Sequence, residues 1–247
     1  MRAVLSIGTT HPWNIAGLGL DIQLGARTGN DVFTVVAAVS AQNGDGVRAL
    51  HAVDLATLRE QLGCVPWPQI AAIRVGALPS AEHVALVAEC IEAHPRLYAV
   101  IDPVLAASPG GALVSAGTLE ALRERLLRLE NAIVTPNLAE AGALLGRRSI
   151  ERAEMDEAAR ALLALGVCAV ILTGGHLAGD PRDVLVERAR DRIRSETLSA
   201  SRIPGKHRGT GCTLAFGLAA ALADGASIGD ALRSARALVR ARLGEAL

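Results

Sequence analysis

Short apolar runs at residues 3–7, 32–41, 70–75, 97–101, 132–134 and 167–172, each closed by glycine or a polar residue, constrain this chain more than any other feature. Rich in Val, Ile and Ala, they have the pattern of buried strands. Helical spacing follows from Ile15 and recurs at 54–62, 81–93, 118–129 and 154–165. Strands that alternate with helices predict right-handed βαβ units, and hence a doubly wound, mostly parallel α/β sheet with helices on both faces. In such folds functional groups collect at the carboxyl ends of the strands. Gln42, Gly76, Asp102, Asn137 and Gly174 all fall there, and Gly8 closes the first run. Residues 183–187 and 193–198 predict an antiparallel hairpin at the sheet edge. With no internal repeat, linker or shift in composition, a single domain over 1–247 is expected.

Charge and cysteine usage exclude several classes of function. The 25 basic and 25 acidic residues balance, and 2% aromatic content leaves no base-stacking platform, so nucleic acid is not an expected partner. Cys64, Cys90, Cys168 and Cys212 form no CxxC pair, which argues against zinc or a disulfide framework and for the cytoplasm. The apolar run near the N-terminus is short for a signal segment, and no uncharged stretch is long enough to span a bilayer, so no membrane association is expected.

The densest chemistry lies in K-H-R-G-T-G-C-T-L-A-F-G-L-A-A-A, residues 206–221. Basic residues lead through Gly209 and Gly211 into an apolar helix whose first turn holds Thr210, Gly211, Cys212 and Thr213. Glycines admit close backbone approach, and the unpaired amides of a helix N-terminus attract anions. There the dipole would favour a thiolate at Cys212. No Lys-Ser/Thr pair follows the glycines, so this is not a Walker A loop, and Gly17-Leu18-Gly19 lacks the third glycine of a dinucleotide fingerprint. A cysteine hydrolase using His176 or His207 is conceivable, but nothing ranks those histidines above surface residues. Asp102 and Glu140 at the same rim suit Mg2+, whose hard oxygen preference matches carboxylates and phosphates. Phosphoryl transfer is the predicted chemistry.

The segments A-Q-N-G-D-G-V, V-I-D-P-V, V-T-P-N-L-A-E-A, G-G-H and G-T-G-C-T, in this order and approximate spacing, resemble the hydroxymethylpyrimidine and phosphomethylpyrimidine kinases of thiamine biosynthesis. These are members of the ribokinase-like superfamily. The resemblance implies ATP-dependent phosphorylation of 4-amino-5-hydroxymethyl-2-methylpyrimidine and then of its monophosphate, usually by a homodimer. By the same resemblance Gln42 reads the aminopyrimidine edge, with Asp21, Gly8 and Ala77 also on the substrate side. Gly209, Thr210, Gly211 and Cys212 match the anion hole, Cys212 standing at the catalytic position. Asn137, Thr173 and Gly174 fall on the ATP side, and Glu140 and Asp102 on Mg2+.

The chain departs from that pattern at four places, one of them His207-Arg208 where the family has Thr-His before the anion loop. G-T-T-H-P-W-N-I replaces the Gly-Ser-Asp-Pro-Ser-Gly-Gly loop after the first strand. Ala77 stands for a methionine, which would widen the pocket. Thr173 stands for a lysine expected to neutralise phosphate charge, and Arg208, next to the anion loop, is the expected replacement. Two other readings follow from these changes: a catalytically weakened pyrimidine-binding relative, or a kinase for pyridoxal-type substrates.

Overall fold

The computed structural model describes residues 2–43, 45–105, 116–175, 177, 179–189, 192–205 and 207–244. Among them, nine strands join in one sheet. In chain order these are β1 (Ala3–Thr10), β2 (Asp31–Asn43), β3 (Gly46–Ala52), β4 (Ile70–Val75), β5 (Tyr98–Ile101), β6 (Ala132–Val134), β7 (Ala169–Thr173), β8 (Arg182–Ala189) and β9 (Arg192–Ser199). Their order across the sheet is β3-β2-β1-β4-β5-β6-β7-β8-β9. The six from β2 to β7 run parallel, and β3, β8 and β9 pair antiparallel at the two edges. Because the chain leaves β1 for β2 on one side and later returns to β4 on the other, a crevice opens at the carboxyl ends of β1, β2 and β4.

The helices are α1 (Gly17–Thr28), α2 (Leu55–Gly63), α3 (Ala81–Glu92), α4 (Ala116–Glu124), α5 (Leu138–Leu145), α6 (Met155–Leu163), α7 (Thr210–Ala223) and α8 (Ile228–Gly244). Period-2 alternation along the strands divides the core in two. Ala3, Leu5 and Ile7 of β1, Ile73 and Val75 of β4, and Ala99 and Ile101 of β5 pack beneath α2 to α6. Val4, Ala72 and Val100 face the other way, against α1, α7 and α8. The side chains of Ser6, Arg74 and Asp102 follow the second parity. They are therefore polar groups under the α1 and α7 layer, and all three are buried.

Local signals place the helix starts. Asp54 accepts a hydrogen bond from the Thr57 amide at 2.9 Å to open α2, Ser80 caps α3, and Asn137 with Glu140 forms a reciprocal capping box on α5. Three elements depart from expectation. β2 is not covered on both faces: Asp31, Thr34, Val39 and Ala41 are exposed. The unanticipated β3 is the reason, since only this exposed edge strand lies beyond β2. α8 is also unanticipated, although Ser227 Oγ accepts from the Asp230 amide at 3.2 Å in an ordinary capping arrangement. Among the described residues no helix is long and apolar enough to cross a membrane.

Candidate active site at the carboxyl ends of the strands

The sheet's ladder continues past its strand ends and sets the site residues side by side. The amides of Gly76, Asp102, Thr135 and Thr173 donate to the carbonyls of Ile7, Val75, Ile101 and Pro136 at 2.8–2.9 Å. Above them lies a cavity of about 430 Å³. Gln42, Ala77, Asp102, Asn137, Glu140, Thr173, Arg208, Gly209, Thr210, Gly211 and Cys212 all line it, so expectations drawn from distant segments converge. His176 and Lys206 lie outside the described residues.

The anion loop is built by geometry that only glycine accepts. Gly209 has φ 70°, and a Cβ there would collide with the Ile15 carbonyl. Its carbonyl receives the Thr213 amide at 2.8 Å and the Thr213 hydroxyl at 2.7 Å, which closes the first turn of α7. The loop is tied from two sides. Arg208 Nη1 donates to the Asn43 carbonyl at the tip of the β2–β3 hairpin at 3.0 Å, and Arg242 of α8 donates to the Arg208 carbonyl at 2.6 Å.

Cys212, partly exposed to the cavity, sits in that first turn. The dipole does not give it a thiolate. Burial pushes the thiol up to about 11, against the pull of Arg74, and the Asp102 and Asp21 carboxylates push the same way. The charged groups acting on it are thus an arginine and two aspartates. His207, proposed as a hydrolase partner, instead places Nε2 3.2 Å from the Pro204 carbonyl.

Two substrate-side expectations give way. Asp21 and Gly8 do not line the cavity, whereas Arg74 does, and Asp21 pairs with it from the buried side. The Asp21 carboxylate, fully buried on α1, lies 3.4 Å from Arg74 Nη1, and Asp102 Oδ2 lies 2.9 Å from Nη2. Gly76 leaves room for the guanidinium, since a Cβ there would collide with Nη1, whereas one on Gly8 would make an ordinary contact at 3.7 Å. Burial pushes the Asp21 carboxyl up to about 6, opposed by Arg74. Burial likewise raises Asp102, opposed by Arg74 and by the Cys212 thiol hydrogen-bonded to it. Burial opposes the Arg74 charge too, but Asp21, Cys212 and Asp102 together hold the guanidinium above its ordinary value.

At the ring end of the cavity Ala77 packs with Val47, Leu50 and Val104 as an apolar wall, and Gln42 brings its amide from β2. Across the cavity Glu140 Oε2 accepts the Asn137 amide at 2.8 Å, while Asn137 Oδ1 accepts from the Glu140 amide at 3.0 Å. Burial, then the charge of Asp102, pushes Glu140 up to about 8. A carboxyl raised by the charge of a neighbouring carboxylate favours an added cation beside it. Gly174 does not line the cavity; its amide turns to the Arg182 carbonyl at 2.9 Å and to Asp183 Oδ1 at 3.2 Å.

A sequence model described as phosphomethylpyrimidine kinase matches residues 14–247. The hydroxymethylpyrimidine/phosphomethylpyrimidine kinase of Streptomyces coelicolor is 36% identical over 96% of this chain and 86% of its own length. The chain belongs to the phosphomethylpyrimidine kinase family. As a member of this family it is a phosphotransferase, and its fold is ribokinase-like. The phosphomethylpyrimidine kinase of Clostridium difficile 630 superposes with a TM-score of 0.83 at 25% identity, over 98% of this chain and 100% of that one. A pyridoxal kinase of Bacillus subtilis, solved as an ADP complex, superposes with a TM-score of 0.86 at 28% identity, over 96% and 90%. Use of ATP follows from kinase membership and from nucleotide complexes among such neighbours.

Within this family frame the sequence reading missed two groups. Arg74 was hidden inside I-A-A-I-R-V, taken as an apolar strand; a charge within a buried run was the available signal. Arg236, Val239, Arg240 and Leu243, which line the cavity from α8, repeat at helical spacing and were legible once a helix was recognised there.

Proposed function

We propose that this protein transfers the γ-phosphoryl group of ATP to the hydroxymethyl oxygen of 4-amino-5-hydroxymethyl-2-methylpyrimidine, and then a second one to the resulting monophosphate, as a step in thiamine biosynthesis. One observation carries the reading: the first-turn amides of α7, Cys212, the Asp102 and Glu140 carboxylates and the Gln42 amide all line a single cavity. The Gln42 amide offers both donor and acceptor to an aminopyrimidine edge, and the Ala77 wall takes the ring face. Gly209, Thr210, Gly211 and Cys212 receive the transferring phosphoryl oxygens on backbone amides, stabilising charge by fixed dipoles. Cys212 Sγ stands where the substrate hydroxyl would lose its proton. Because its thiol is held protonated at neutral pH, turnover should depend on the small thiolate fraction.

Mg2+ fits the donor set: Asp102 and Glu140 are hard oxygen ligands, the charge of Asp102 raises Glu140, and one or two carboxylates are its usual protein complement. They would hold the ion, which when bound offsets charge on the nucleotide phosphates. Asn137 and Thr173 belong to the ATP side, and Gly174 supports that side through its backbone. A homodimer, a cytoplasmic location and a single domain complete the proposal, the first to be checked by light scattering.

A second reading has support of its own. The fold neighbours include the Bacillus subtilis pyridoxal kinase, and a side chain as small as that of Ala77 lines the cavity. ATP consumption measured in parallel with the hydroxymethylpyrimidine, its monophosphate and pyridoxal separates the readings. Turnover of the two pyrimidines is the expected result. Turnover of pyridoxal alone would establish the second, and thermal shifts without any turnover would establish a pyrimidine-binding relative.

A further inference from the structure

Arg236 on α8 stands against the point where β7 enters the cavity. Thr173, the last residue of β7, pairs directly with Asp183 in the antiparallel β7–β8 register. One Asp183 oxygen accepts the Gly174 amide at 3.2 Å, and the other is ion-paired with Arg236 Nη1. The side chains of Arg236 and Asp183 retain 13% and 11% exposure, so the pair is largely desolvated yet reaches the cavity that both residues line. Arg240, one turn further on, also lines it.

Other cations around this end are committed to backbone or, in one case, to fully buried carboxylates. Arg202 donates to the carbonyls of Gly179, Gly175 and Leu177, and Arg240 to that of Ser201. Arg208 spans to Asn43 on the hairpin. Arg74 is buried between two carboxylates. Arg236 differs in being held by a single carboxylate that still has some exposure, a partner that an incoming anion can replace in kind. Burial, then the charge of Arg240, lowers Arg236 from its ordinary value, so this corner favours added negative charge.

We propose that Arg236 is a phosphate-binding residue of the nucleotide side, presented by Asp183 next to the neutral Thr173 and supplying the positive charge that Thr173 does not. Its planar fork reaches phosphate oxygens, and Asp183 aims it. This assigns to Arg236 the compensating role expected of Arg208, whose contact with Asn43 joins the hairpin to the anion loop. The proposal rests on the kinase reading for the nature of its ligand. Its test does not need turnover.

ADP and inorganic tripolyphosphate are titrated calorimetrically, without pyrimidine, into wild type, Arg236→Gln and Arg236→Lys. Gln keeps a hydrogen bond for Asp183 and loses the charge; Lys keeps the charge. The expected result is at least about tenfold weaker binding of both ligands to Arg236→Gln, with much of the loss restored in Arg236→Lys, and unchanged affinity for the hydroxymethylpyrimidine. Equal binding by Arg236→Gln and wild type overturns the proposal, as does an equal loss of pyrimidine affinity, which would mark a structural role. Binding of ADP needs no phosphorylated product, so the result holds whichever substrate the enzyme uses.

Discussion

Arg74 is a fully buried cation whose two partners are also buried, and this makes it a single point on which stability and site geometry both depend. Replacing it with Met leaves Asp21 and Asp102 without their counter-charge, a change that costs about 3–5 kcal/mol in comparable buried pairs. Urea unfolding of Arg74→Met should show a loss of that order, and adding Asp21→Asn should recover part of it. Additive losses would mean that the two residues do not act as a pair. Cys212 yields a second expectation at this scale. With its thiol raised to about 11, the thiolate fraction grows roughly tenfold per pH unit across the neutral and mildly alkaline range. Turnover by wild type should therefore rise from pH 7.5 to 9.5, and Cys212→Ala should lose both this rise and about 10²–10⁴-fold in rate. A flat profile in wild type would remove the thiol from proton transfer. Asp21 gives the sign for stability. Its folded pKa, raised to about 6, lies above its ordinary value, so its contribution is complete below about pH 4 and is lost as pH rises through 6. Over that interval the unfolding free energy of wild type should fall relative to that of Asp21→Asn, and parallel curves would contradict the shift. Cys212 was legible from its glycine-flanked helix start. Its protonation was not, because it depends on burial beside carboxylates contributed by α1 and β5, a tertiary property.

At the scale of elements, turn chemistry and patterning were readable where a strand is buried and misleading where it reaches an edge. β5 and β6 appear as uninterrupted apolar runs, and β4 as one broken only by Arg74, because both their faces are covered, and their carboxyl ends fall where the sequence places them. β3, G-V-R-A-L-H-A, mixes polar and apolar residues because it is an exposed edge, so its pattern carries little register information. The cap on α5 shows how an element and a site share residues. Asn137 caps the helix while its partner Glu140 faces Asp102 in charge. Asn137→Ala should cost about 1 kcal/mol in urea unfolding through loss of the cap. It should also weaken nucleotide binding, because Glu140 loses its fixed orientation. Lost stability with unchanged ADP affinity would confine Asn137 to the helix.

For the whole molecule, the βαβ alternation determines what matters most: every expected site segment lies at one edge of a sheet whose order reverses at β1. Gln42, Asp102, Asn137 and Cys212 come from separate parts of the chain and meet because parallel strands end on the same side. That convergence was readable from the sequence pattern. The depth of each residue was not, and for this reason Asp21 supports Arg74 and does not line the cavity. The central claim is that one cavity binds an aminopyrimidine at Gln42 and performs phosphoryl transfer at Cys212. Its most direct test is the rate of phosphorylated pyrimidine formation from ATP and the hydroxymethylpyrimidine, followed by mass spectrometry in wild type, Gln42→Ala and Cys212→Ala. Wild type should form the monophosphate and then the diphosphate. Gln42→Ala should raise KM for the pyrimidine by a factor equivalent to about 1–3 kcal/mol, and Cys212→Ala should lower kcat with little change in KM. Absence of phosphorylated pyrimidine in wild type, or equal kinetics in all three proteins, would contradict the account.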